Sequence, residues 1–109
     1  MNKLISDLQT SDIPFVKVIE NIEKEYQHTP TAFKNGDVFN EADQNQGSAK
    51  VFAFAKLKKF DQDDTLLLFA EHYQAVLADP EGSNHHNIRQ FMKHGWSGIR
   101  FEGEALTAK

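Results

Sequence analysis

The sequence predicts an α+β domain, mostly α, with four to five helices, a short β-hairpin and a C-terminal strand. Three observations lead to this class. Apolar residues recur at helical spacing in several separate blocks. Asn35 and Gly36, two residues that accept positive φ, stand between short extended arms. Near the C-terminus Ile99, Arg100 and Phe101 alternate apolar, polar, apolar, as a half-buried strand does.

Taken in order, Leu4, Ile5 and Leu8 suit a short first helix. A restart follows, with Ser11 or Asp12 as cap and Pro14 in the first turn. Phe15, Val18, Ile19, Ile22 and Tyr26 then share one face of a helix over about 14–27. Thr29 ends it, because a residue before proline resists helical torsions. Arms 32–34 and 37–39 flank Asn35 and Gly36, and Phe33 and Phe39 are expected to pack onto helices. The polar stretch 40–47 reads as a surface loop, with the lip of a polar cleft as its functional alternative.

Ser48 is a candidate cap for the next helix, 50–60, whose apolar residues go all round and imply burial on most sides. Asp61 caps a helix over 61–78, with Asp63 and Asp64 in the first turn favoured by the dipole. Residues 79–82 form a turn with Pro80 and Gly82. Asn84 is expected to cap the last helix, which turns Ile88, Phe91 and Met92 inward and ends at Gly95. The tail 104–109 is expected to be frayed.

The bulk numbers bound the function. A chain of 109 residues with 39% hydrophobic and 26% charged residues suits one soluble domain spanning 1–109. Its net charge of -4 argues against non-specific nucleic-acid binding. Without cysteine there is no disulfide, thiolate nucleophile or cysteine-ligated metal. No signal peptide and no apolar run of membrane-spanning length is evident, so the expected address is the cytoplasm.

Residues 84–103, NHHNIRQFMKHGWSGIRFEG, hold the single Trp, both Arg and three of the five His, with no carboxylate between Glu81 and Glu102. His86, Arg89 and Lys93 fall at i, i+3 and i+7 and so line one helical face, His85 lies at its edge, and Arg100 joins if the terminal strand folds back. With Trp96 they make a candidate surface for a small anionic ligand or an acidic protein partner, where arginine would bind in bidentate fashion. The bland alternative is a solvated helix face. Asn40, Asn45 and Asn87 are candidates for a polar cleft, and an enzyme using Asn40, Asn45, His85 and Arg89 is the competing class. Metal binding is not expected, since the histidines lack the i, i+4 spacing of a zinc helix and no HExxH occurs. Gly95, Trp96, Ser97 and Gly98 follow a helix rather than a strand, unlike a nucleophile elbow, and no phosphate-binding glycine loop is present. No cofactor is implied.

The blocks TPTAFKNG, NQGS, VFAFAKL, VLADPEG, NIRQFMKHGW and GIRFEG resemble the HopJ type III effector family. The resemblance covers nearly the whole chain after residue 14. It implies an effector-like protein, translocated by type III secretion in a pathogenic context, but brings no enzymatic activity or cofactor. The polar pattern of the family falls here on Thr29, Asn35, Asn40, Asn45, Ser48, His85, Asn87, Arg89, Trp96 and Arg100. Asn84 stands where an Asp is usual and Ala49 where a Cys is frequent, while Leu67, Leu68 and Ala70 replace a version containing Cys and Gly.

Overall fold

A computed structural model describes residues 3–10 and 13–109. Among the described residues the helices are α1 (Lys3–Thr10), α2 (Phe15–Glu25), α3 (Gln46–Lys58), α4 (Gln62–Leu67), α5 (Glu71–Ala78) and α6 (His86–His94). The strands are β1 (Tyr26–His28), β2 (Phe33–Asn35), β3 (Val38–Asn40), β4 (Ile99–Phe101) and β5 (Leu106–Ala108). They form two antiparallel sheets, β1–β5 and β3–β2–β4. The protein is therefore mostly α with small β elements.

The core is organised around α3, which buries Ala49 and every residue from Val51 to Ala55. Phe52, wholly buried, meets the rings of Phe91 (4.9 Å), Phe69 (5.3 Å), Phe33 (6.0 Å) and Trp96 (6.4 Å). Those partners come from α6, the α4–α5 junction, β2 and the 3-10 turn Gly95–Gly98. One side chain thus ties the sheet to the last two helices through tilted and edge-on aromatic contacts. The all-round apolar pattern of 51–57 is explained by this central position, although Leu57 itself remains half-exposed.

The sequence-based expectations need correction in several places. Helix α2 stops at Glu25, and Tyr26 to His28 turn extended to pair with Ala108 to Leu106. The tail is accordingly a strand rather than frayed: Ala105 and Leu106 are buried, and Thr29 N–H donates to Ala105 O over 2.9 Å. The reason is mutual. Pro30 cannot continue the helix, and the extended chain before it offers a ladder that the tail completes. The α2 caps proposed at Ser11 and Asp12 lie outside the described residues. Pro14 occupies the N-cap position instead of the first turn, and Glu71 Oε1 accepts from Phe15 N–H at 2.7 Å. A carboxylate from α5 thereby closes the start of α2.

The hairpin is shifted by one residue. Asn35 pairs with Val38, so the two turn residues are Gly36 and Asp37, with positive φ at Gly36 alone. This is a glycine-first two-residue turn rather than the Asn–Gly type. Phe33 is fully buried as expected, whereas Phe39 is half-exposed on the outer face of the sheet. The helix expected over 61–78 breaks into α4 and α5 at Ala70 (φ 52°, ψ −124°), which brings the count to six. The break reorients the chain so that Leu66, Leu68, Phe69 and Val76 are all buried, which one straight helix could not achieve. Asp61 caps α4 as expected, accepting from Asp64 N–H at 2.8 Å.

Candidate functional site

Four asparagines organise the region where α3, α6 and the hairpin meet. Asn35 and Asn40 are completely buried and Asn87 nearly so. Asn87 Oδ1 accepts from Asn35 Nδ2 (3.0 Å) and Asn40 Nδ2 (3.2 Å), while Asn87 Nδ2 donates to Asn40 Oδ1 (3.0 Å). Asn35 Nδ2 also donates to the Asn87 carbonyl (2.8 Å), and Asn45 Nδ2 to Asn40 Oδ1 (2.7 Å). Asn35 Oδ1 is left without a partner. Asn40 is therefore an interior strut rather than the lip of an open cleft, and Asn87 ties that network to the end of the hairpin. Carboxamides suit this task because each offers both donors and acceptors without carrying charge into the interior.

The network also determines how two helices begin. Asn45 and His85 occupy the N-cap positions of α3 and α6, both in the left-handed conformation (φ 50° and 52°), and neither caps with its side chain. Asn45 spends its amide on Asn40 instead. Ser48 and Asn84 are thus not the caps: Ser48 lies inside the first turn of α3, and Asn84 precedes the His85 cap. Early N–H groups of a helix lack intrahelical acceptors, and the positive end of the helix dipole sits with them.

The first turns of α3 and α6 line one cavity of about 510 Å³. Gly47 and Ser48 contribute from α3, His86 and Asn87 from α6, and His72 from the start of α5. Asn45, Asn84 and His85 complete the polar wall; Phe15, Val38, Phe69 and Ile88 supply the apolar part. The His72 ring lies 5.1 Å from that of His85 and 4.9 Å, edge-on, from that of Phe15. Among the described residues lining the cavity none is acidic. The Glu71 carboxylate, one residue before His72, is engaged by Phe15 N–H. Burial raises the Glu71 pKa, but the hydrogen bonds from Phe15 and its own backbone, with His72 nearby, outweigh that and leave it lowered.

His86, Arg89 and Lys93 keep one side of α6, whereas Arg100 lies on β4. Arg89 is half-buried and clamps the preceding turn: Nε donates to Asn84 O (2.6 Å), one terminal nitrogen to Asn84 Oδ1 (2.7 Å) and the other to Pro80 O (3.3 Å). Its fork is therefore occupied by acceptors of its own chain. Lys93 is exposed and lines no described cavity. Trp96 leans on Phe91 (5.1 Å) and donates from Nε1 to Phe60 O (3.0 Å), beside Lys56 and Lys59. Arg100 stands on the sheet with Lys34. Of the proposed enzyme set, Asn45 and His85 share the cavity, whereas Asn40 is interior and Arg89 faces the groove between α5 and α6. Ile88 and Phe91 do point inward, Met92 is exposed instead, and α6 runs unbroken to His94. His72 and Ser48 also line the cavity, outside the candidate set that the sequence suggested. No helix of the described residues is long and apolar enough to cross a membrane.

Comparison with known proteins agrees with the sequence blocks. The profile of the HopJ type III effector protein family matches residues 1–106 of the 109. The chain belongs to the HopJ family. A HopJ chain of this shape is also similar to a solved crystal structure, that of VPA0580, described as a protein of unknown function. The two are 44% identical with a TM-score of 0.91, over 100% of this chain and 95% of the other. Among curated proteins no relative matches. Family membership makes this an effector-like protein, and its chemistry must be argued from the site itself.

Proposed function

We propose that this HopJ protein acts by binding, and that its ligand is a small anion, a carboxylate or phosphate ester, held in the cavity between α3, α5 and α6. The observation that carries the reading is the joint placement of the first turns of α3 and α6 beside His72, His85 and His86, with no acidic side chain in the lining. Helix starts without side-chain caps present N–H donors and a positive dipole end, and imidazoles add donors that can carry charge. The volume, about 510 Å³, lies in the range of small-molecule sites, and Phe15 and Phe69 can cover the apolar part of a ligand.

The anionic ligand thus moves from the outer face of α6 to its beginning. His85 and His86 keep the roles the sequence suggested, Asn45 and Asn87 become wall residues, and Arg89 becomes a positioning residue that fixes the turn before His85. The protein would do this in the cytoplasm of the producing cell or, following its family, after type III translocation.

Titration of isotopically labelled protein with acetate and with glycerol phosphate tests the reading. Saturable amide shifts at Gly47, Ser48, His86 and Asn87 are expected, weakened on the order of tenfold in a His85→Ala, His86→Ala double variant. Lys93→Ala should leave them unchanged. Shifts that fail to saturate, or that survive loss of both histidines, would refute it.

A further inference from the structure

Away from that cavity, two cations face each other across the three-stranded sheet. In the antiparallel register Lys34 on β2 lies directly opposite Arg100 on β4, and both are exposed. Like charges directly opposite in a ladder repel. Neither side chain has an ion pair or hydrogen bond among the described residues. The two line a separate hollow of about 280 Å³ with Gly36, Asp37, His94, Ser97 and Gly98.

The floor of the hollow is fixed. Gly36 N–H donates to Gly98 O over 2.9 Å, which locks the hairpin turn to the end of the 3-10 turn. A Cβ at Gly98 would lie 3.0 Å from Gly36 N and 2.9 Å from His94 Cβ, so the approach requires glycine. His94 Nε2 is buried there without a hydrogen-bond partner. Asp37 Oδ2 stands 3.8 Å from it, within ion-pair reach but too far for a hydrogen bond. Ser97 Oγ donates to His94 O at 2.8 Å. Asp37 in the lining, and Glu102 in the bend just after β4, are acidic groups near the cations in sequence or space.

We infer that the Lys34–Arg100 pair is an oxyanion site, and that a phosphate dianion, free or as a small phosphomonoester, sits between the two side chains above Gly36 and Gly98. Arginine offers its fork to two oxygens and lysine a point charge to a third. The strands are fixed in register by β2 pairing with both neighbours, so the backbone sets the roots of the two cations opposite each other. Asp37 opposes the anion and limits its affinity. This site is independent of the histidine-lined cavity, since no residue lines both.

The test is a titration with inorganic phosphate, and separately with glycerol phosphate, followed by amide shifts in wild type and in Lys34→Ala, Arg100→Ala and Asp37→Asn variants. Saturable shifts at residues 34–37 and 97–100 are expected for both probes, apart from those the cavity residues Gly47, Ser48, His86 and Asn87 give. Each alanine substitution should weaken binding on the order of tenfold, and Asp37→Asn should tighten it. Binding of inorganic phosphate alone would mark the site as one for the free ion; binding of both, as one for monoesters. The His85→Ala, His86→Ala protein should behave as wild type here, which separates failure of this site from failure of the cavity. Shifts reproduced by chloride at equal ionic strength, or undiminished when both cations are removed, overturn the inference. Because Lys34 and Arg100 are exposed, their substitution should leave the fold intact, checked by an unchanged urea midpoint.

Discussion

Replacing Ala70 by glycine should stabilise this protein. Glycine usually does the opposite, because it loses more backbone freedom on folding than any other residue. At Ala70, however, φ is 52° and ψ −124°, a combination that a Cβ makes unfavourable and that glycine adopts freely. A non-glycine residue held there costs about 1–3 kcal/mol. Against that relief stand about 0.4–1 kcal/mol of extra unfolded-state entropy and about 0.4 kcal/mol for a half-buried methyl. A net gain of about 1 kcal/mol remains from these opposing effects. With a urea dependence of about 1–3 kcal/mol per molar, the unfolding midpoint should rise by about 0.5 M at constant slope. The α4–α5 break should persist, because Tyr73 and Gln74 N–H still donate to the carbonyl of residue 70. Ala70→Val supplies the contrast: a β-branched side chain at this φ should lower the midpoint clearly. A lower midpoint for Ala70→Gly would show that the backbone there is not strained, and the account of the break would fall.

Two further outcomes test the interior and the pH response. Asn87→Ala removes the acceptor shared by Asn35 and Asn40 and the donor to Asn40, so it should cost about 2–3 kcal/mol in urea unfolding; a cost below about 0.5 kcal/mol, the level of an ordinary surface change, would mean the network is not a strut. Burial, then Lys50, holds the His28 pKa below its ordinary 6.5, despite its contact with Gln46 Oε1 at 3.1 Å. The unfolded chain therefore binds the proton more readily. Stability should fall as pH drops from about 6.5 towards the lower folded value. His28→Ala should flatten that part of the midpoint-versus-pH curve, and an unchanged slope would reject the assignment.

Much of the fold could be read from residue order, and for identifiable reasons. Helix α2, the buried α3, the Asp61 cap, the inward Ile88 and Phe91 and the alternation of Ile99–Phe101 all follow from local rules: side-chain period, a capping carboxylate, a strand's two faces. The specific blocks that mark the HopJ family are likewise a property of the chain alone.

The site was less legible, because its parts are defined by partners far away in sequence. Asn35 looked like a turn residue and is a strand residue, since Asn87, 52 positions later, draws its amide inward. Arg89 looked like a free cation and is occupied by the turn beside it. The tail looked unattached until β1 supplied hydrogen-bond partners for it. Periodicity reports which face of an element is apolar; it carries no record of which unpaired backbone or carboxamide group elsewhere a side chain will satisfy. That matching of donors to acceptors happens between elements already packed, and it decides here which polar residues become interior struts and which stay open to a ligand.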